Sequence, residues 1–360
     1  MTVKKNRKKS ESLKTKTIKT KKVNSKKLVK YLKKEQLEIN EKKINVIAFV
    51  ATIVIIVLLM TFSNLEKLNY IPQIQTQKLI EWGNEGEFQR AYGIWVSGVN
   101  KNLYVANIDG NNINRYSITN DKTNTVSFIK TWGEQGEGKG QFNEPSGLTF
   151  DKDGNVYVAD AVNGRIQKFD SNGKYLMEIN LSKTGFWRPR NVLVAPNGDI
   201  YVANTGKWNI YRFNKNGGQI GAFTELFGEV FGLAMDKAGL LYVADAGARS
   251  VVVLSPDLQI LRKHKIKAWR NVQGTMPMIA MDSKQRLYCV SAYEQKIAVY
   301  DTTDPKFKLI GEIRNQKGAP PLFNNPLGIA IDGEDNIYVT ERVVNKVMVL
   351  KTQLSGSAAR

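Results

Sequence analysis

Hydrophobic and polar residues are arranged in two different ways along this 360-residue chain. Near the start they do not alternate at all. Ile44–Phe62 is nineteen residues without a charge, and Asn45, Thr52 and Thr61 are its only polar side chains. A helix of that length extends ~28 Å, close to the ~30 Å hydrocarbon core of a bilayer, so the pattern predicts a transmembrane helix over 44–62. A buried helix is the soluble alternative, and the scarcity of polar side chains weighs against it. A cleaved signal peptide is the other rival. Its apolar region runs about 7–15 residues behind a short basic segment and ends at a small-residue site. Here 43 residues precede the run, and Met60–Asn64 offers no such site.

From about residue 77 polarity changes with period two. Val156-Tyr157-Val158-Ala159 and Ile166-Gln167-Lys168-Phe169 are short alternating stretches separated by Gly, Asn and Asp, the pattern of antiparallel strands. Between strands, segments such as Asp151-Lys152-Asp153-Gly154-Asn155 read as tight turns, because Gly accepts positive φ and Asp holds local backbone N–H groups.

The alternation is itself repeated. Tyr104, Tyr157, Tyr201, Tyr242, Tyr288 and Tyr338 head the strings YVAN, YVAD, YVAN, YVAD, YCVS and YVTE, at intervals of 53, 44, 41, 46 and 50 residues. Nine residues after each anchor stands Ile113, Ile166, Ile210, Val251, Ile297 or Val347. Three before it come Gly154, Gly198 and Gly239, replaced elsewhere by Lys101, Gln285 and Asp335; six before it, Asp151, Asp236, Asp282 and Asp332; ten before it, Gly147, Gly232 and Gly328. Each unit holds four strands, which makes it one propeller blade. The segment Asn143–Asp170 (NEPSGLTFDKDGNVYVADAVNGRIQKFD) resembles an NHL repeat almost throughout, and its lead-in Trp132–Phe142 (WGEQGEGKGQF) is similar to the Gly-rich linker of that family. Asn325–Thr340 resembles it too, whereas the fifth unit departs at Met276-Pro277-Met278 and Cys289. The predicted fold is all-β: a six-bladed β-propeller of four-stranded antiparallel blades preceded by one N-terminal transmembrane helix. The sixth unit has no fourth strand of its own, and Gln77–Gly83 is similar to Ser127–Gly133, the fourth strand of the first. Residues 77–83 are therefore expected to pair beside 346–350 and close the ring. The expected organisation is a basic tail (1–43), a span (44–62), a linker (63–76), a propeller (77–352) and a C-terminal tail (353–360).

Charge sets the topology. Residues 1–43 carry seventeen Lys or Arg against four Asp or Glu, while Lys67 and Lys78 are the only basic residues in the twenty after the span. The positive-inside rule places the N-terminus in the cytoplasm and the propeller outside it, a single-pass cell-membrane protein whose first partner is the lipid bilayer through 44–62. The basic tail has Tyr31 as its only ring, which leaves no stacking platform for nucleic acid.

Candidate chemistry is sparse. One cysteine, Cys289, excludes an intramolecular disulfide, and one histidine, His264, excludes mechanisms needing two. Asp151 opens a string like a calcium loop, but Val162 stands where the twelfth-position acid belongs. Gly136, Gly138, Lys139 and Gly140 lack the Gly-Lys-Ser/Thr ending of a phosphate loop. Trp187, Phe186, Trp208 and Trp269 are candidate contact aromatics, and Trp82 and Trp132 read as packing between blades. The richest set lies three residues after each anchor: Asn107, Asp160, Asn204, Asp245, Ser291 and Glu341. With Arg90, Glu144, Arg190, Glu229 and Asn325 these are expected near one mouth of the channel, where Asn107, Asp160, Arg190, Asn204, Asp245 and Glu341 form a candidate ligand-binding ring. The competing reading is that the Asp and Asn residues cap their own turns.

No motif demands a cofactor, and Ca²⁺ is the metal such a ring would take. The resemblance to NHL propellers implies interaction scaffolding, so the expected function is non-enzymatic binding of a protein or surface polymer. A Ca²⁺-dependent lactonase- or lyase-like enzyme is the alternative, and an RNA-binding propeller the second, opposed by the outward topology.

Overall fold

The computed structural model describes residues 25–69, 71–83, 86–98, 101–119, 125–181, 188–224, 228–269 and 276–352, without the side chains of 25, 26, 28 and 58–69. Two compact units meet between Tyr70 and Ile71.

The first contains helix α1, Ser25–Asn69. It runs well past both ends of the apolar stretch because no Gly or Pro interrupts it, and it stops short of Pro72. Its described apolar side chains are exposed, Ile47 and Phe49 by about two thirds, and the Thr52 hydroxyl donates to the Ala48 carbonyl at 2.9 Å. Among the described residues no helix is long and apolar enough to cross a membrane. The apolar run continues to Phe62, beyond the described side chains.

The second unit begins with β1 (Thr76–Trp82) and continues as six antiparallel sheets of four strands. Blade 1 is β2 (Ala91–Val96), β3 (Asn102–Asn107), β4 (Asn112–Ile118) and β5 (Val126–Trp132); blade 2 is β6 (Pro145–Phe150), β7 (Val156–Asp160), β8 (Arg165–Phe169) and β9 (Tyr175–Asn180). Blade 3 is β10 (Pro189–Val194), β11 (Ile200–Asn204), β12 (Asn209–Phe213) and β13 (Gln219–Phe223), and blade 4 is β14 (Val230–Met235), β15 (Leu241–Asp245), β16 (Ser250–Leu254) and β17 (Ile260–Lys265). Blade 5 is β18 (Ile279–Met281), β19 (Arg286–Ser291), β20 (Lys296–Asp301) and β21 (Lys308–Arg314). Blade 6 joins β22 (Pro326–Ile331), β23 (Asn336–Glu341) and β24 (Lys346–Thr352) to β1, which pairs with β24 from Thr76↔Thr352 to Trp82↔Val347. The ring closes as the likeness of 77–83 to 127–133 predicts, and blade 6 has no bare edge at β24.

The repeat positions acquire physical roles. All six anchor tyrosines lie on second strands and are buried, as are the residues nine further on, which lie on third strands. The recurrent Asp ties turn to strand. Asp332 Oδ1 accepts the Glu334 and Asn336 N–H groups at 2.9 and 2.8 Å, and its Oδ2 accepts the Tyr338 hydroxyl at 2.9 Å. Asp151, Asp236 and Asp282 hold their turns and anchor tyrosines in the same way. Gly328 sits where innermost strands touch: a Cβ there would lie 1.9 Å from the Tyr92 carbonyl oxygen of blade 1. The linker is also held, with Ile74 N–H on the Glu312 carbonyl (2.8 Å) and Glu312 N–H on the Pro72 carbonyl (2.9 Å).

Candidate functional site

The six residues three past each anchor pair across the β-hairpin joining second and third strands: Asn107↔Asn112, Asp160↔Arg165, Asn204↔Asn209, Asp245↔Ser250, Ser291↔Lys296 and Glu341↔Lys346. All six are buried. Four of them pin the loop that leads into the first strand of their own blade by accepting its backbone N–H: Asp160 from Asn143 (2.8 Å), Asn204 from Arg188 (2.9 Å), Asp245 from Gly228 (3.0 Å) and Glu341 from Asn324 (2.7 Å). Asn107 donates to Asn112 Oδ1 at 2.8 Å, and the Ser291 hydroxyl donates to the Ala268 carbonyl at 2.8 Å. The four N–H groups so held lie 16 or 17 residues upstream, so these side chains hold the entry loop of the blade and not chiefly their own turns. Among the described residues no three His, Cys, Asp or Glu gather as a metal site.

Blade 2 carries the fullest version. Asp160 Oδ2 accepts Arg165 Nε at 2.8 Å, Asn163 Nδ2 at 2.9 Å and Gln167 Nε2 at 3.1 Å. Arg165 continues to Glu178 Oε2 (3.0 Å) and to the carbonyls of Gly138 (2.8 Å) and Gln141 (2.9 Å). The Gly-rich segment is thus bound internally as an inter-blade linker. Burial pushes the Asp160 carboxyl above its ordinary value, with the Asn143 N–H and Arg165 opposing. In blade 6 Glu341 accepts the Asn324 N–H, and among the described residues its buried Oε1 has no partner. Burial pushes this carboxyl up to about 7, the Asn324 N–H opposing and Glu81 adding to the rise.

Arg190 lies apart from these pins, at the start of β10 on the channel. Its Nη2 donates to Glu144 Oε2 at 3.0 Å, and Arg188 Nη2 reaches the same oxygen at 2.8 Å. Arg90 pairs with Asp109 at 2.7 Å. Deeper in, Asn191 from blade 3 and Met278 from blade 5 replace the glycine found ten residues before other anchors. Both are buried, and their Nδ2 and Sδ meet at 3.8 Å.

The opposite end of the channel is apolar, which the sequence reading missed. Every innermost strand finishes on a half-buried apolar residue: Val96, Phe150, Val194, Met235, Met281 and Ile331. Four of these, with Trp95 and Pro196, help line a cavity of about 220 Å³. The signal was present as an apolar residue directly before each turn Asp.

The remaining candidates resolve into packing. His264 stacks on Phe307 (centroids 4.2 Å apart, planes at 8°), and burial pushes its imidazole below the ordinary value, Arg262 adding to this. Cys289 is buried and its thiol pushed well up. Trp269 donates Nε1 to the Val290 carbonyl at 2.8 Å, Trp132 lies edge-on to Tyr104 and Trp82 to Tyr116, and Trp208 is exposed. Phe186 and Trp187 lie outside the described residues.

The fold is therefore a six-bladed β-propeller with four antiparallel strands per blade. Residues 142–169, within its second blade, match the NHL repeat family. No curated protein matches the chain in sequence. Among solved structures the chain is similar to a streptogramin B lyase (TM-score 0.57, 13% identity, 78% of this chain and 98% of that one) and to a putative gluconolactonase (0.56, 15%, 80% and 96%). It is also similar to a chain of a nidogen/laminin complex (0.51, 18%, 67% and 84%). At these identities the likeness is one of fold.

Proposed function

We propose that this chain is a membrane-anchored, extracytoplasmic binding propeller that captures a protein partner at the apolar end of its channel. The observation that carries this reading is the half-buried apolar ring around the 220 Å³ cavity. Of the recurring acids and amides, Asp160, Asn204, Asp245 and Glu341 each hold a backbone N–H of their entry loop. Methionine side chains at 235 and 281 adapt to varied shapes. A lining dominated by apolar side chains suits an apolar side chain better than a hydroxyl-rich polymer. Anchoring is supported by the uncharged exposed surface of α1 from Ile44 to Val57 and by the basic flank before it.

A photo-crosslinking residue placed at Met281 in intact cells should give a discrete protein adduct, and one at Leu176, exposed on the outer strand β9, should not. Equal labelling, or none at 281, would overturn the reading. Alkaline carbonate should leave the full chain in the membrane pellet, and external protease should digest the propeller. Release or protection would overturn the anchor or its direction. The lyase- or lactonase-like alternative draws on the shared fold and requires a metal among residues here assigned to turn-pinning.

A further inference from the structure

We propose that the other end of the channel binds a carboxylate through Arg188, Arg190 and Tyr92, with Glu144 as the internal carboxylate that occupies the arginines when no ligand is bound. Glu144 Oε2 receives both guanidinium groups, at 2.8 and 3.0 Å. Burial alone would raise the Glu144 carboxyl, but Arg188 and Arg190 outweigh it and hold the group below its usual range. Two cations share one anion, while Arg90 nearby is already neutralised by Asp109. Within this trio of side chains one positive charge is left over.

Hydrogen-bond donors are left over as well. Among the described residues Arg188 Nε is buried without an acceptor, and so is the hydroxyl of Tyr92, a fully buried side chain on β2. That hydroxyl lies close enough to Arg190 for the guanidinium to favour its ionised form, although burial dominates and pushes it up to about 12. Buried donors without partners destabilise the fold, and an oxyanion that accepts from them removes that penalty. A monoanion cancels the residual charge, whereas a phosphate dianion reverses it, so the complement is a carboxylate. The pinned loops hold the pair in place: Asp160 fixes Asn143 beside Glu144, and Asn204 fixes the Arg188 N–H. Bidentate guanidinium–carboxylate geometry then supplies directional recognition.

The test uses the full chain at low ionic strength with acetate, acetamide, inorganic phosphate and a short peptide carrying a free or amidated C-terminus. Acetate should raise the melting temperature saturably and shift the Arg188 Nε–H resonance, and acetamide should do neither. Arg188→Met should abolish the effect. Glu144→Gln, which removes the competing carboxylate, should tighten acetate binding several-fold. If the free-terminus peptide binds at least tenfold tighter than acetate, the source is a polypeptide end; equal affinity identifies a free small acid. Phosphate matching acetate, or an unchanged response in Arg188→Met, overturns the proposal. If Glu144→Gln fails to fold, the Nε–H shift and Arg188→Met decide the matter. Crosslinking at Met281 can fail while acetate still binds, so this inference and the proposed function fail separately.

Discussion

Blades 2 and 6 have the same hairpin tip and use it differently. In blade 2 the third-strand partner of the tip acid, Arg165, serves that acid and stitches the Gly-rich linker down. In blade 6 the corresponding Lys346 turns away to Glu81 on β1, at 2.6 Å, and leaves Glu341 with a single N–H. Blade 2 is built from one continuous segment, whereas blade 6 must be assembled from chain segments far apart in sequence. The difference teaches that a repeat position is a geometric opportunity: one copy spends its cation on a pin, another on closing the ring.

Breaking closure should have the largest effect. Deleting 76–82 bares the β24 edge, so the protein should aggregate and lose its cooperative melt; an unchanged melting curve would refute ring closure through β1. Next comes Arg165→Met, which leaves the buried Asp160 without its counter-ion and should cost about 3–5 kcal/mol in denaturant unfolding. The matching Lys346→Met breaks a partly exposed pair and should cost at most about 1 kcal/mol. Equal losses would erase the contrast between the blades.

Acidity sharpens it further. Glu341 has a folded value of about 7 against an ordinary 4.5, so folding favours its protonated form. Its stabilising effect is complete below about pH 4.5 and is lost as pH rises through 7, a difference of up to about 3 kcal/mol. Glu341→Gln should flatten that slope between pH 4.5 and 7; a wild-type slope unaltered by the substitution would exclude Glu341 as its source. The smallest effect is local. Lys101, at φ 53°, occupies the left-handed position that Gly154 holds at φ 81°. Lys101→Gly should raise stability by about 0.5–1 kcal/mol.

Much of this architecture was legible because it rests on local chemistry that repeats. Tyr anchors, turn Asp residues and the apolar position nine further on all follow from strand alternation and turn geometry, and even closure could be read from the likeness of 77–83 to 127–133. The site was less legible. Asn107, Asp160, Asn204, Asp245 and Glu341 were recognisable as a set, but whether a carboxylate faces solvent or a folded-back loop depends on residues 16 or 17 positions upstream, such as Asn143 and Arg188. The apolar ring went unread because Met235 and Ile331 look like ordinary strand ends until six of them meet around one axis. The Arg188–Glu144–Arg190 cluster joins two blades, a contact no single repeat encodes.

Asp160, Asp245 and Glu341 serve the fold by holding the Asn143, Gly228 and Asn324 N–H groups. Calorimetric titration of Ca²⁺ into the full chain tests this role most directly. No stoichiometric heat should appear, and Asp245→Asn should change stability alone. One-to-one binding that Asp245→Asn or Glu341→Gln abolishes would contradict the account and restore a metal-dependent enzyme.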